Sequence, residues 1–196
     1  MKRLALLVVL IVVVLVPAAH RAQAQDIKVS KEGNWRIWYT SPDLRAELDF
    51  HWADRHLGDE WLILKLSVAG GLKGVTSVNH KEVRVRAPDG SIFDLPTQAE
   101  YRAKRVSMRI AFQQENVWSP PASRFVISLT RIEDWFFNPW GTVDYRESIH
   151  PSAVQYCSGP LMFQIPGGVQ PGGWTLIIGL NEISFVLGEN EEGAQE

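Results

Sequence analysis

Apolar and polar residues alternate with a period of two along several segments of the chain. This period is typical of half-buried β-strands, because successive side chains of a strand point to opposite faces of a sheet. In the segment AELDFHW the alternation predicts that Glu47, Asp49 and His51 face outward. The positions predicted to face a core are Ala46, Leu48, Phe50, Trp52, Val83, Val85, Ala87, Phe125, Ile127, Leu129, Leu161, Phe163, Ile165, Trp174, Leu176, Ile178 and Leu180.

Two segments add detail to this strand pattern. KEVRVRAPDGSIFDL predicts a β-hairpin, because Pro88, Asp89 and Gly90 are turn residues between two alternating runs. WLILKLSVA is apolar on both faces at its start, where Trp61 and Ile63 follow the opposite phase to the leucines. We therefore expect another element to cover the second face of this strand.

The covering element is predicted to be a helix over residues 98–115. Thr97 and Glu100 match the S/T-x-x-E capping box that often begins a helix. Helical spacing then predicts one apolar stripe, formed by Ala99, Ala103, Val106 and Ile110. Residues 133–158 show weak periodicity and are predicted to form a long excursion with short strands.

Short strands, turn signals and one inserted helix favour a mainly β fold, an antiparallel β-sandwich. The successive segments GDEWLILKLSVA, VRAPDGSIFDL, PLMFQIPGG and GWTLIIGL are similar to the immunoglobulin-like extracytoplasmic domains of unknown function found in many exported bacterial proteins. This resemblance covers about residues 60–187 and implies an immunoglobulin-like sandwich. The helix at 98–115 and the absence of a lipid-attachment cysteine after the apolar run depart from that pattern, so envelope anchoring stays open.

The first 24 residues have the three parts of an export signal. Lys2 and Arg3 precede an apolar run over residues 4–16, and Ala22 and Ala24 supply a small-residue cleavage site. The run is shorter than the roughly 20 residues that cross a bilayer, so we expect cleavage after Ala24 and no stable membrane span afterwards; a retained anchor is the alternative. The sequence thus predicts an exported protein, periplasmic or secreted, with a signal peptide (1–24), one domain (25–188) and a disordered acidic tail (189–196).

Charge and cysteine content narrow the classes of partner. Loss of Lys2, Arg3 and Arg21 lowers the basic count from 20 to 17 against 22 acidic residues, a formal charge of −5. This balance disfavours nucleic acid as a partner. Cys157 is the only cysteine, so an internal disulfide is excluded, and the thiol is expected to be buried or, alternatively, to link two chains.

The stretch DFHWADRH contains four candidate metal ligands, Asp49, His51, Asp54 and His56. Imidazole and carboxylate groups suit zinc or manganese. The spacing matches no HExxH motif, and Arg55 lies between the last two candidates. We therefore expect a solvated strand edge followed by a turn, and no bound metal.

Aromatic and basic residues offer two candidate binding surfaces. Trp38 follows the opposite phase to Trp35 and is predicted to be exposed, as a carbohydrate-binding or protein-binding ring would be. The predicted core holds Trp35, Trp52 and Trp174, whereas Trp118, Trp135 and Trp140 are expected to fasten loops to the sheet. On the predicted helix, a basic stripe that suits an anionic polymer or an acidic partner is formed by Arg102, Arg105 and Arg109.

No catalytic motif is visible. The chain has no G-x-S-x-G elbow, and Cys157 has no nearby histidine in the sequence that would indicate an activated thiolate. The sequence therefore favours a non-enzymatic protein without a cofactor, acting as a binding or envelope-accessory protein for an unknown protein or envelope polymer. The alternatives are a carbohydrate-binding module that uses exposed aromatic residues and a divergent metal-dependent hydrolase.

Overall fold

The computed structural model describes residues 27–71, 77–114, 128–137 and 145–189. The strands in these ranges are β1 Lys28–Glu32, β2 Arg36–Thr40, β3 Leu44–Asp49, β4 Trp61–Gly70, β5 Val78–Asn79, β6 Val83–Arg86, β7 Ile92–Asp94, β8 Thr130–Ile132, β9 Ser148–Ile149, β10 Gln155–Gln164, β11 Gly172–Ile178 and β12 Asn181–Leu187. The helices there are α1 His51–Arg55 and α2 Gln98–Gln114, with a 3-10 turn at His80–Glu82.

The strands form two larger sheets and one small one. The six-stranded sheet has the order β1-β2-β3-β4-β10-β8, the four-stranded sheet β12-β11-β6-β7, and β5 pairs with β9. Pairing between the described strands is antiparallel except that β8 lies parallel to β10, through Thr130 and Ile132. The predicted mainly β fold with antiparallel sheets is confirmed, with this one parallel pair as a departure.

The two larger sheets share one apolar core. Buried side chains from β2, β3, β4 and β10 belong to the same cluster as Trp174, Leu176 and Phe185 of the second sheet. The hydroxyl of Tyr39 also donates to Asn181 Oδ1 across 3.0 Å, which joins β2 to β12. Inward positions predicted by the alternation are confirmed as buried at Ala46, Leu48, Phe50, Val83, Val85, Leu161, Phe163, Ile165, Trp174, Leu176 and Ile178.

The predicted hairpin and helix are both present. β6 and β7 pair through a turn in which Gly90 has a φ of 87°, a left-handed conformation that favours glycine. At the start of α2, Glu100 N donates to Thr97 Oγ1 at 3.3 Å, and Thr97 N donates to Glu100 Oε2 at 2.8 Å. These reciprocal bonds form the capping box predicted from the sequence.

The predicted inner face of α2 is wrong. Ala99, Ala103, Val106 and Ile110 are exposed, while the helix buries the opposite side, which carries Tyr101, Met108 and Phe112. The helix nevertheless contacts β4, and Lys104 Nζ donates to Gln164, which lies opposite Trp61 in the sheet. Trp61 and Ile63 are buried, so the expected cover over the second face of β4 is confirmed.

The strand predicted for AELDFHW ends earlier than expected. β3 stops at Asp49, and helix α1 takes over from His51, so Trp52 is a half-buried helical residue. Glu47, predicted to face outward, is fully buried. Leu180, predicted to face inward, is exposed in the turn between β11 and β12.

The segment around Trp135 joins the excursion to the core. Its indole Nε1 donates to the carbonyl of Pro160 across 2.7 Å, and its ring occupies the space that a Cβ at Gly159 would need. Trp135 therefore fastens this segment to β10, as the sequence predicts. Several predictions concern positions outside the described residues: the signal peptide, Trp118, Phe125, Ile127, Trp140 and residues 190–196.

Ala87 and Leu129 are half-buried, so both predicted inward positions are met only in part. Leu129 packs on a small second cluster outside the main core.

In the described parts of the chain, no helix is long and apolar enough to cross a membrane.

Candidate functional site

The first pair of candidate metal ligands, Asp49 and His51, bonds within the fold. Asp49 Oδ1 accepts the backbone N–H of His51 at 3.0 Å, and its Oδ2 lies 3.4 Å from Arg36 Nε. The His51 ring meets the indole of Trp35 edge-on, with ring centroids 4.4 Å apart. Because β3 ends between them, the two residues do not share the strand face that the sequence predicts.

The second pair of candidate ligands, Asp54 and His56, also makes contacts within the fold. Asp54 Oδ2 accepts Trp35 Nε1 at 2.9 Å, and Asp54 Oδ1 accepts the backbone N–H of Gly188 at 2.7 Å. The His56 ring stacks on Trp52 at 3.6 Å, and its Nδ1 lies 3.2 Å from Asp59. Across the described ranges no three or more His, Cys, Asp or Glu side chains are grouped as a metal site would need.

Trp38 is buried, so its predicted exposure is wrong. Its side chain retains only 8% of its accessible surface, because it packs with Ala69 and Tyr156 on the face of the six-stranded sheet that points away from the main core. Its Nε1 donates to Glu32 Oε2 at 3.1 Å. The alternation predicts the correct face for Trp38 but not that this face is covered.

A buried polar row lies beside Trp38. In the sheet register, Trp38 is opposite Glu47, Glu47 opposite Ser67, and Ser67 opposite Ser158. The two serine hydroxyls are 2.9 Å apart, and Arg36 Nε lies 3.8 Å from Glu47 Oε1. Glu47 and Ser67 are fully buried, so these groups contact no solute without opening of the fold. The alternating pattern gives no signal for this burial.

His80 is a second buried polar group that sequence reasoning missed. Its backbone N–H donates to the carbonyl of Glu147 at 2.7 Å, and its ring packs edge-on against Phe136 at 5.8 Å and near Tyr145 at 5.2 Å. Burial lowers the pKa of His80, against smaller opposing effects from the Pro96 carbonyl and nearby carboxylates. Burial therefore favours the neutral form of the imidazole.

Helix α2 presents an exposed surface that combines apolar and basic side chains. We define the outer face of α2 by its exposed members: Ala99, Arg102, Ala103, Val106, Arg109 and Ile110. Val106 is 73% exposed and Ile110 52% exposed, which is unusual for two branched apolar residues one turn apart. The predicted basic stripe is thus present at Arg102 and Arg109, beside this apolar surface.

The buried side of α2 holds this outer face in place. Tyr101, Met108 and Phe112 are buried in the main core, and the ring of Tyr101 lies 5.2 Å from that of Phe137. Arg105, predicted to share the exposed basic stripe, is half-buried. The outer face is therefore carried by a docked helix, with Arg102 and Arg109 as its exposed cations.

Comparisons of the chain with protein-family models, curated proteins and solved structures give no match.

Proposed function

We propose that this is a non-enzymatic binding protein, and that the outer face of α2 contacts an acidic segment of a partner protein. The observation that carries the proposal is the exposure of Val106 and Ile110 on a helix whose other side is docked in the core. Exposed apolar residues of this size mark interaction surfaces when they lie together.

The charges on this face favour an acidic partner. Arg102 and Arg109 are seven residues apart, or about 10 Å along the helix axis, and both lie on the flank of the apolar stripe. A partner segment with carboxylates at similar spacing would pair with both cations. Covering Val106 and Ile110 at the same time requires apolar side chains, which a protein supplies and an anionic polysaccharide lacks.

The contacts made by the four candidate metal ligands also support a role without catalysis. These are the side chains that the alternative, a metal-dependent hydrolase, would use. Asp49 and Asp54 accept hydrogen bonds from the fold, and the rings of His51 and His56 pack on Trp35 and Trp52. These contacts give the four side chains a structural use. Trp38, the ring nominated for carbohydrate binding, is buried.

The proposal includes export and an immunoglobulin-like arrangement of the two larger sheets. Export is supported by the charged, apolar and small-residue pattern of residues 1–24. The immunoglobulin-like arrangement is supported by two sheets over one core whose strands are antiparallel except for the β8–β10 pair. Intact mass of the protein recovered from the envelope or medium tests export, and a chain that begins at Gln25 is the expected result. A chain that keeps Met1 would contradict cleavage.

The binding proposal is tested by placing a photo-crosslinking amino acid at position 106 in cells that produce the protein. The matched control carries the same amino acid at Val154, which is 68% exposed but lies before β10, away from α2. We expect a discrete crosslinked protein at position 106, and we expect that protein to be absent from the products formed at position 154. The same product at both positions, or none at 106, would overturn the proposal.

The identified partner is then purified and its affinity measured against charge-reversed variants. Arg102→Glu with Arg109→Glu should weaken binding at least tenfold, because two attractive pairs become repulsive. Arg55→Glu, which reverses an exposed arginine on α1, is the control and should leave the affinity unchanged. Equal affinities for the double variant and the unmodified protein would exclude the outer face of α2 as the contact.

A further inference from the structure

Strand β1 lies at the edge of the six-stranded sheet with an unusual degree of exposure. It pairs with β2 on one side, and no described strand pairs with its other side. All five of its side chains are exposed, including Val29 at 56%. The outer backbone of such a strand presents N–H and C=O groups that another strand can bind.

We propose that β1 pairs with β1 of a second copy of this chain, antiparallel and centred on Ser30. This register pairs all five residues and keeps the core faces of both sheets on the same side. Lys28 then lies opposite Glu32 of the second copy, and Glu32 opposite its Lys28, so two opposite-charge pairs form. Val29 lies opposite Lys31 in both directions.

Neighbouring registers lack this match. A shift of one residue in one direction places Lys28 opposite Lys31 of the second copy, which is repulsive. A shift in the other direction places Glu32 opposite Val29 and removes both ion pairs. Residues directly opposite in antiparallel strands have Cβ atoms about 5 Å apart, so these charges interact directly.

A hydrogen bond from Trp38 also orients the side chain of Glu32. Its Oε2 accepts Trp38 Nε1 at 3.1 Å, and Trp38 is buried, so the carboxylate is fixed on the exposed strand. A carboxylate accepts several hydrogen bonds, so Glu32 can also accept one from a lysine of the second copy. Lysines on an edge strand ordinarily discourage pairing, but here Lys28 meets a carboxylate.

The first test follows self-association of the purified protein by sedimentation equilibrium from about 1 μM to about 1 mM, the range of weak complexes. Lys28→Glu and Glu32→Lys should each weaken the dimer about tenfold, because each converts two attractive pairs into repulsive ones. The double variant K28E/E32K restores opposite charges and should regain most of the affinity. Lys31→Glu makes the same charge change as Lys28→Glu but faces Val29, so it is the matched control.

A second test does not depend on charge. Ser30→Cys places a thiol directly opposite its own copy, at a separation that a disulfide spans, and mild oxidation should give a covalent dimer. Lys28→Cys is the control, because its two copies are separated by four residues, about 14 Å along the strand. A protein that stays monomeric up to about 1 mM, a double variant no better than the single ones, or equal crosslinking at positions 28 and 30 would overturn the proposal.

Discussion

The indole N–H of Trp35 donates to Oδ2 of Asp54 across 2.9 Å, and this bond joins the residue before β2 to helix α1. The other oxygen of Asp54 accepts the backbone N–H of Gly188 at 2.7 Å, directly after β12. One carboxylate therefore connects three segments that are far apart in sequence. Asp54, one of the four candidate metal ligands in the sequence, is thus a hydrogen-bond acceptor within the fold.

Replacement of Asp54 by alanine should lower the free energy of unfolding by about 1–3 kcal/mol, because hydrogen bonds to a charged acceptor are lost at two sites. Chemical denaturation of the two proteins measures the difference. Asp59→Ala is the control. Asp59 is exposed, and within the described residues its carboxylate contacts only His56 Nδ1, at 3.2 Å. Loss of this contact should cost at most about 1 kcal/mol. Equal losses for the two variants would contradict the role assigned to Asp54.

Thermal melts in chelator and in added zinc or manganese should overlap. A metal held at about 100 times its dissociation constant would add about 2.7 kcal/mol of stability, which a melt detects readily. The four candidate ligands make the contacts described above: Asp54, for example, accepts a hydrogen bond from Trp35, and the ring of His56 stacks on Trp52. A reproducible metal-dependent rise in melting temperature, lost in His51→Ala and in His56→Ala, would contradict this expectation.

Helix α2 shows which part of a fold local sequence determines. Its start follows from the capping box at Thr97 and Glu100, which depends on residues three apart. Its buried face does not, because the helix carries apolar residues on two opposite sides. The side with Tyr101, Met108 and Phe112 is buried, since larger side chains remove more apolar surface from water than the alanines of the outer face do.

The six-stranded sheet shows the complementary limit. The period of two assigns Trp38 and Glu47 to the face away from the main core, which the structure confirms, yet both are buried there. Alternation specifies which side chains share a face, whereas exposure depends on what packs over that face. The parallel pairing of β8 with β10 is equally beyond local pattern, because it joins segments separated by more than twenty residues.

His80 should make the stability of the fold depend on pH. Its folded-state pKa is lowered below 6.5, chiefly by burial, so the unfolded chain binds more protons as the pH falls through that value. The free energy of unfolding is then lower on the acidic side and recovers as the pH rises. Lys81 acts in the same direction as burial, whereas Asp94 and Glu147 oppose it.

The measurement is the free energy of unfolding between about pH 5 and pH 8, where histidine titrates. His80→Gln removes the titrating group and should flatten the loss of stability toward acid, whatever its effect at neutral pH. The comparison uses the slope with pH, so a general destabilisation by the substitution does not obscure it. Identical slopes for the two proteins would show that His80 contributes nothing to the pH dependence.

Cys157 should react slowly with thiol reagents in the native protein. The side chain is fully buried in β10, and burial raises the pKa of its thiol to about 12, assisted by the negative charge of Asp134. Only the thiolate attacks, so the reactive fraction at about pH 8 is very small and access requires opening of the strand. Labelling with a disulfide reagent should therefore be slow in native buffer and fast in denaturant. Ser91→Cys, which adds an exposed thiol at the β6–β7 turn, is the positive control and should label rapidly. Equally rapid labelling of Cys157 in the unmodified native protein, or a covalent dimer of that protein on a non-reducing gel, would show that the thiol is accessible.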